Sequence, residues 1–333
     1  MWIKISALSL FVLLTGCQPT APENVSQKPP ALLKKITIAY TTQPQSTLLH
    51  AAVAKGFFAD EGLDVQASIH PFGKAALQMV LENKADLAAA AETPFMFSVL
   101  KGEKLFVIAN IEQTTTNNAI VARRDAGISE KGELAGKRIG FTPGTTGEFF
   151  LDSMLTVKGI ARADIQSVPL KPDEMLDAIL TKKVDAVSTW NYPLTLIKQQ
   201  LGANGVMFFD KQIYTETFNM LAQQKFVNEN PDTIKSFLRA MVKAEDFVAQ
   251  HTDEAQAIHS KATSTDINLV RTVWGEFNYH INLDQTLLIT LEDETRWAIK
   301  NKLTDQTVMP DYRNSIHFES LKAVKPDVVT ISR

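Results

Sequence analysis

An internal repeat constrains the fold of this chain more than any other feature. Leu77 to Phe95 reads "LQMVLENKADLAAAAETPF", and Leu176 to Leu194 reads "LDAILTKKVDAVSTWNYPL". Each segment has apolar residues at helical spacing up to a Lys, then an apolar residue, an Asp, a short strand-like run, and a Pro eight residues after the Asp. Two copies of one helix and strand unit predict two related structural units.

The residues before each copy extend the repeat. "KKITIAYTTQP" and "GKRIGFTPGTT" are both strand patterns that end in Thr-rich turns, and "LDVQASI" and "IQSVPL" supply a middle strand in each half. Alternating strands and helices favour parallel sheets with helices on both faces. The chain has 333 residues, more than one hydrophobic core usually holds. We therefore predict an α/β protein of two lobes, each with a mostly parallel sheet.

The N-terminus has the pattern of a secretory signal. A basic Lys4 precedes the apolar run from Ile5 to Leu14, which is too short to span a bilayer, and "LLTGC" resembles the bacterial lipobox. We predict a signal peptide over residues 1–17, a lipidated Cys17 and a Pro-rich tether over residues 18–34. A plain signal peptide with an incidental cysteine remains the alternative. Lipidation would hold the chain on the periplasmic or cell-surface side of a membrane.

Composition and motifs exclude several function classes. The 34 basic and 37 acidic residues give a net charge of −3 without a basic run, which argues against nucleic-acid binding. The six histidines lack metal-ligand spacing, and Cys17 is the only cysteine. No nucleophile motif is present, so we predict no enzyme activity, no cofactor and no metal site.

Ligands of open α/β sheets bind beyond the carboxyl ends of the strands. The chain passes between the predicted lobes near residues 113–119 and 210–218, which makes a two-strand hinge. The first lobe then covers residues 35–115 and 217–333, and the second covers 116–216. The predicted ligand-binding residues are Gln43, Ser46, Glu92, Thr93, Thr145, Thr146, Glu148, Trp190, Asn191 and Tyr192.

The turn "TPGTTGEFF" has two interpretations. The backbone N–H groups at Thr145 and Thr146 would begin a helix and could bind a polar ligand group. Thr145 and Glu148 also fit the capping box, in which the side chain of each residue binds the backbone N–H of the other residue. A phosphate loop is excluded because Glu148, not Lys, follows Gly147. The sequence leaves both interpretations open.

Four segments are similar to a known family: "KITIAY…LLHAAVAKGFFADEGLDVQ", "KADLAAAAETP", "ELAGKRIGFTPGTTGEFFL…KGI" and "VDAVSTWNYP". They resemble the periplasmic binding proteins of ABC importers for nitrate, sulfonates, taurine and thiamine-pyrimidine precursors. The resemblance implies a type II periplasmic-binding-protein fold that closes on a small molecule and delivers it to a membrane permease and its ATPase. We expect a monomer.

Members of the family bind chemically different ligands, so we infer the ligand class from the residues of the predicted cleft. Its segments contain Glu92 and Glu148 but no Lys or Arg, and a carboxylate facing an anion in a dry cleft costs several kcal/mol. Trp190 and Tyr192 offer flat faces for a ring or a cation. We favour an amine-bearing or pyrimidine-like ligand. The alternatives are a sulfonate or nitrate anion, or a sensor role with a membrane signalling partner.

Overall fold

The structure, a computed structural model, describes residues 1–2, 33–130 and 133–331. The strands in these ranges are β1 Lys34–Thr41, β2 Leu63–His70, β3 Leu87–Ala91, β4 Leu105–Thr114, β5 Ala119–Arg123, β6 Arg138–Phe141, β7 Gln166–Pro169, β8 Ala186–Thr189, β9 Gly205–Phe208 and β10 Glu216–Gln223. The helices of the first 200 residues are α1 Thr47–Lys55, α2 Phe57–Asp60, α3 Gly73–Leu81, α4 Glu92–Leu100, α5 Thr146–Val157, α6 Met175–Leu180 and α7 Pro193–Leu201. The later helices are α8 Gln224–Glu229, α9 Pro231–Gln250, α10 Thr252–Thr263, α11 Ile267–Val273, α12 Gln285–Lys300 and α13 Phe318–Val324.

The strands form two five-stranded sheets. The first has the order β2-β1-β3-β10-β4 and the second has the order β7-β6-β8-β5-β9. β10 is antiparallel to both of its neighbours, and so is β5 in the second sheet, which leaves four strands of each sheet pointing one way. The predicted pair of mostly parallel sheets is confirmed. In each sheet the antiparallel strand is the first one after the chain arrives from the other sheet.

The central strands are buried because helices cover both faces of the sheets. All five residues of β3, Leu87 to Ala91, are buried, as are all four residues of β8. A continuous apolar run like that of β3 is typical of a strand buried on both faces, whereas β8 also buries the hydroxyls of Ser188 and Thr189. Among the described ranges, no helix combines the length and apolar character needed to cross a bilayer.

The aspartate of each repeat connects two strands of its own sheet. Asp86 Oδ2 accepts hydrogen bonds from Thr37 N at 2.7 Å and from Thr37 Oγ1 at 2.7 Å, just before β3. Asp185 Oδ2 accepts from Arg138 N at 2.9 Å, just before β8. Asp185 also binds the guanidinium groups of Arg138 and Arg123, at 2.7 and 3.1 Å. The repeated Asp therefore holds the first strand of each half against the last one.

The C-terminal helices contact residues that follow β3 and β8. Thr93 Oγ1 donates to Glu294 on α12, and the hydroxyl of Tyr192 lies 2.9 Å from His259 Nε2 on α10. Thr93 and Tyr192 occupy equivalent positions of the two repeats, each two residues after the equivalent pair Ala91 and Trp190. The C-terminal helices therefore hold the segments that lead into the cleft.

Candidate functional site

A small cavity of about 20 Å³ lies where the ends of the two sheets come together. In the first sheet, Gln43 follows β1 and Ala91 is the last residue of β3. In the second sheet, Thr145 follows β6 and Trp190 follows β8. The residues lining the cavity are Gln43, Phe72, Gly73, Lys74, Ala91, Pro94, Thr145, Thr146, Trp190, Glu216 and Phe218. Its position at the carboxyl ends of the strands is the one expected for a ligand site in such sheets.

Glu216, at the start of β10, is the acidic residue among those that line the cavity. Only 2% of its surface is exposed. Its Oε1 accepts from Gln45 Nε2 at 2.9 Å, and its Oε2 accepts from Asn117 Nδ2 at 2.9 Å and from Asn118 Nδ2. Burial raises the pKa of the Glu216 carboxyl, and the three amide donors partly offset that rise. The carboxyl is therefore a strong acceptor that a cation would help to ionise.

Three further buried glutamates surround this region. Burial, and then the neighbouring Glu216, raise the pKa of Glu92 to about 8. Burial and nearby carboxyls also raise the pKa values of Glu112 and Glu294 well above the ordinary value. None of the groups that shift these pKa values is a cation. The interior next to the cavity therefore holds four acidic side chains whose pKa values all lie above the ordinary value.

Several buried acceptor atoms near Glu216 have no hydrogen-bond partner. They include Gln43 Oε1, Gln45 Oε1 and Asn118 Oδ1, as well as both carboxyl oxygens of Glu112. Gln45 and Asn118 point their amide nitrogens at Glu216, so their oxygens are the atoms left over. Among them, Gln43 is the residue that also lines the cavity, so its Oε1 is the unpaired acceptor that a ligand N–H could reach. Since an unsatisfied buried polar group costs roughly 1–3 kcal/mol, such a hydrogen bond would relieve an existing cost.

The aromatic wall of the cavity comes mainly from Trp190. Its indole is 4% exposed, and its ring centroid lies 6.4 Å from that of Phe72 at an interplanar angle of 41°. Ala91, at the equivalent position of the first repeat, lines the same cavity with a methyl group. The cavity thus offers a flat apolar surface beside a buried carboxyl.

The turn before α5 shows which parts of the two sequence interpretations are realised. Thr145 and Thr146 line the cavity, whereas Glu148 is not among the lining residues. Glu148 Oε2 accepts from Gly144 N at 2.7 Å, and Thr145 Oγ1 donates to Thr142 O at 2.7 Å. The predicted capping box is therefore wrong in detail, because neither side chain binds the backbone N–H that the motif requires.

A lysine lies at the cavity, although the predicted cleft segments contained none. Lys74, in the first turn of α3, donates from Nζ to Pro143 O at 2.8 Å and so joins the first half of the chain to the turn of the second. Burial lowers the pKa of its ammonium group, with a smaller effect of Lys101 in the same direction. Lys74 closes one side of the cavity and adds a cation at its rim.

Three other predicted residues of the first lobe lie behind the cavity wall. Glu92 is fully buried, and it accepts from Tyr214 Oη, from Thr217 N at 2.8 Å and from Thr217 Oγ1 at 3.0 Å. Thr93 binds Glu294. Ser46 Oγ accepts from the backbone N–H of Thr41 at 3.1 Å, which stabilises the turn after β1.

Two predicted residues of the second lobe also have protein partners. Asn191 is fully buried; its N–H donates to Asn117 Oδ1 at 3.1 Å and its Nδ2 donates to Glu276 Oε2 at 2.7 Å. Tyr192 binds His259 and packs in an apolar cluster with residues of α11. Both residues anchor the segment that carries Trp190.

Sequence interpretation missed Glu216 and Lys74. Glu216 could have been found as a charged residue in the apolar stretch "TETFNMLA", at one of the predicted passages between lobes. Lys74 follows β2, whose end was not counted among the cleft segments. The predicted lipidation site, Cys17, lies outside the described residues, as do the other residues of the signal segment from residue 3 and the tether up to residue 32.

Comparisons with known proteins agree with this architecture. The chain is 28% identical over 274 residues to a putative aliphatic sulfonates-binding protein of Bacillus subtilis, covering 81% of this chain and 80% of that protein. It is 22% identical over 263 residues to the formylaminopyrimidine-binding protein of Halalkalibacterium halodurans, covering 75% and 76%. The periplasmic aliphatic sulphonate binding protein of Escherichia coli has the same fold, with a TM-score of 0.75 at 17% identity over 85% of this chain and 97% of that one.

The family model described as NMT1/THI5 like matches residues 43–255. These residues include both linking passages, the repeated segments 77–95 and 176–194, and every residue that lines the cavity. On this match, the chain belongs to the NMT1/THI5-like family.

Proposed function

We propose that this chain is the substrate-binding protein of an ABC-type importer and captures a small molecule that carries N–H donors, such as an amine or an aminopyrimidine. Relatives whose names describe them as binding proteins support the general role, and they cover three quarters or more of this chain. Such proteins bind a ligand and pass it to a membrane permease and ATPase without catalysing a reaction.

The position of Glu216 carries the proposal about ligand chemistry. A carboxyl that is nearly fully buried lines the cavity, and so does Gln43, whose buried Oε1 has no hydrogen-bond partner. An ammonium, amidine-like or aminopyrimidine N–H group would donate to the carboxylate, and such charge-assisted bonds are stronger than neutral ones. Trp190 supplies a face against which a flat ring can stack.

The relative burial of Lys74 and Glu216 supports a cationic over an anionic ligand. Lys74 is partly desolvated, but it keeps enough surface open to water at the rim for its charge to be screened, and it already donates to Pro143 O. Glu216 is buried, so its charge acts at a lower effective dielectric. An anion in the cavity would meet Glu216 at a cost of several kcal/mol, and the rim lysine would offset only part of it.

We also propose that the ligand closes two lobes on each other, with residues 35–115 and 217–333 in one lobe and 116–216 in the other. A ligand that touches both Glu216 and Trp190 binds the closed form better than an open one, and so shifts the population toward it. The anion alternative keeps one observation in its favour, namely Lys74 beside the N-terminus of α5. The experiment must therefore include anions.

The first experiment is a thermal-shift panel on the purified full-length chain. The probes are 4-amino-2-methylpyrimidine, ethylamine, methanesulfonate and nitrate. Binding to the native state alone raises stability by about 2.7 kcal/mol at a ligand concentration of 100 times Kd. We expect the aminopyrimidine to raise the unfolding midpoint most, and the two anions to leave it unchanged.

The same panel is then repeated with Glu216→Gln. Loss of a charge-assisted hydrogen bond should weaken aminopyrimidine binding by roughly 1.5–3 kcal/mol, measured by calorimetry. Glu229→Gln, at an exposed carboxylate on α8, is the matched control and should bind like the wild type. Tight binding of methanesulfonate or nitrate that Glu216→Gln leaves intact or improves would overturn the proposed ligand class.

We propose further that lipidated Cys17 holds the protein on the outer side of a membrane. The apolar run before "LTGC" and the Pro-rich stretch after it support this location. Cys17→Ser should leave an unprocessed precursor, detectable as a larger species on a gel. Normal processing and lipid labelling of the variant would refute the anchor.

A further inference from the structure

Asn117 uses both ends of its side-chain amide in the interior of the protein. Nδ2 donates to Glu216 Oε2 at 2.9 Å, and Oδ1 accepts from the backbone N–H of Asn191 at 3.1 Å. The residue is 1% exposed. The partners fix the orientation of the amide, because a flipped amide would place its oxygen against a carboxyl oxygen and its nitrogen against an N–H group.

The contacts of Asn117 connect three segments that are far apart in the sequence. Asn117 lies between β4 of the first sheet and β5 of the second, where the chain first crosses between them. Glu216 begins β10, where the chain has returned. Asn191 directly follows Trp190, whose indole forms the aromatic wall. The side-chain amide of Asn117 therefore links both places where the chain passes between the sheets to the segment that carries the Trp190 indole.

We propose that Asn117 is a positioning residue that couples the Glu216 carboxyl to the Trp190 segment, so that a ligand bound at the carboxyl also fixes the indole. This inference rests on the proposed role of Glu216 in binding an N–H donor. Asn117 does not touch the ligand itself, since it is absent from the residues that line the cavity. It acts by holding one oxygen of the carboxylate and the backbone next to the indole at a constant separation.

Asn118 provides an internal control for this inference. It also donates to Glu216 Oε2, and it is 3% exposed. Its Oδ1, however, has no partner, so it does not connect the carboxyl to the Trp190 segment. Removing either amide takes one donor from Glu216, but only removal of Asn117 breaks the connection to Asn191.

The loss of a donor has a separate effect on protonation. Donors at the Glu216 carboxylate lower its pKa against the rise caused by burial. The titratable groups that interact with Glu216 are Glu92 on α4, Glu112 on β4, Glu294 on α12 and Tyr214 before β10. The Glu216 carboxylate raises the pKa of each of these acids, whereas the shift of Glu216 itself is caused by burial and by its amide donors. Lys74 on α3 is the basic residue that lines the same cavity. Either Asn→Ala variant should therefore raise the pH below which binding of an amine is lost.

The experiment measures the affinity of 4-amino-2-methylpyrimidine from pH 5 to pH 9 for the full-length wild type, Asn117→Ala and Asn118→Ala. Titration of the probe itself cancels when each variant is compared with the wild type at the same pH. We expect the pH at which binding is half lost to be higher for both alanine variants than for the wild type. Once the pH is high enough for the affinity no longer to change with pH, Asn118→Ala should return to within about threefold of the wild type, and Asn117→Ala should stay roughly tenfold weaker.

Asn117→Asp keeps the inference testable if Asn117→Ala does not fold. Its carboxyl retains an acceptor for Asn191 N–H but places a second acid beside Glu216 Oε2, which raises the pKa of the pair. Its matched control is therefore Asn118→Asp, which adds the same acid and leaves Asn117 in place, and the two Asp variants should bind the probe alike. Equal behaviour of Asn117→Ala and Asn118→Ala at every pH would overturn the coupling while leaving the role of Glu216 intact. A wild type that fails to bind the probe, or a Glu216→Gln variant that binds normally, would instead refute the proposed function and this inference with it.

Discussion

Asp86 in the first repeat and Asp185 in the second occupy equivalent positions, and each binds the backbone of the first strand in its own sheet. Their surroundings differ in one respect. Asp86 accepts from the N–H and hydroxyl of Thr37, whereas Asp185 also binds two guanidinium groups. The two halves therefore share a structural contact between strands, and the second half has added charge to it.

Two further pairs of equivalent positions, five and six residues after the aspartates, differ more in the chemistry of their side chains. Ala91 and Trp190 both line the cavity, so the first half contributes a methyl group and the second an indole. Glu92 and Asn191 are both fully buried, but only Glu92 can titrate. The repeat has thus kept its scaffold and has diverged in the side chains at and behind the cavity. This asymmetry gives the cavity its indole from the second half, whereas the acidic residue that lines it, Glu216, lies outside both repeats.

The largest expected difference between the halves is at the aspartates. Both oxygens of Asp185 receive arginine N–H groups, so Asp185→Asn would turn an amide N–H toward a donor and should lower the free energy of unfolding by about 3 kcal/mol. Asp86→Asn can keep the oxygen that Thr37 binds and should cost about 1 kcal/mol. Urea unfolding of the two isosteric variants measures both values. Equal costs would mean that the arginines add nothing to the second half.

The second expected difference is in pH dependence. The pKa of Glu92 is raised to about 8 in the folded state. Its contribution to stability is therefore fully present below its unfolded pKa and is lost as pH rises toward 8, by about 1.4 kcal/mol per pH unit. Glu92→Gln removes the titratable group at this position of the first repeat, which then resembles Asn191 at the equivalent position of the second repeat. It should reduce the slope of unfolding free energy between pH 5 and pH 8.

Glu229→Gln is the control for that slope, because its carboxylate is exposed. A Glu92→Gln variant with the pH dependence of the wild type would show that this carboxyl does not hold its proton more tightly in the folded state. The measurement is urea unfolding at several pH values.

The smallest expected effects are at the third pair of positions. Thr93→Val removes a donor from Glu294, and Tyr192→Phe removes the hydroxyl that contacts His259. Each loses one buried hydrogen bond to a C-terminal helix, and each should cost about 1 kcal/mol of unfolding free energy. Similar costs would support equivalent anchoring of the two halves. A negligible cost for one of them would show that its helix is held by apolar packing alone.

The repeat made the fold and the position of the cavity predictable. Strand periodicity and the rule for strand ends place Gln43, Thr145, Thr146 and Trp190 at the edge where the structure shows them lining the cavity. That rule cannot say which side chain of a turn faces the cavity. Asn191, next to Trp190, turns away because Asn117 and Glu276 provide its hydrogen bonds.

Glu216 was less predictable because its role depends on sheet order. It begins β10, which returns from the second sheet and inserts between β3 and β4. Sequence spacing does not indicate where a returning strand inserts, so a charged residue at its start looks like part of a loop. The partners of Glu216, Gln45 and Asn117, lie 171 and 99 positions away along the chain, beyond the reach of local patterns.

The most direct test of the central claim is a crystal structure of the full-length chain with 4-amino-2-methylpyrimidine. The account predicts the exocyclic amine or a ring N–H within hydrogen-bond distance of Glu216, with the ring against Trp190. An anion such as methanesulfonate bound instead at Lys74 and the N-terminus of α5, with no aminopyrimidine density at Glu216, would contradict it.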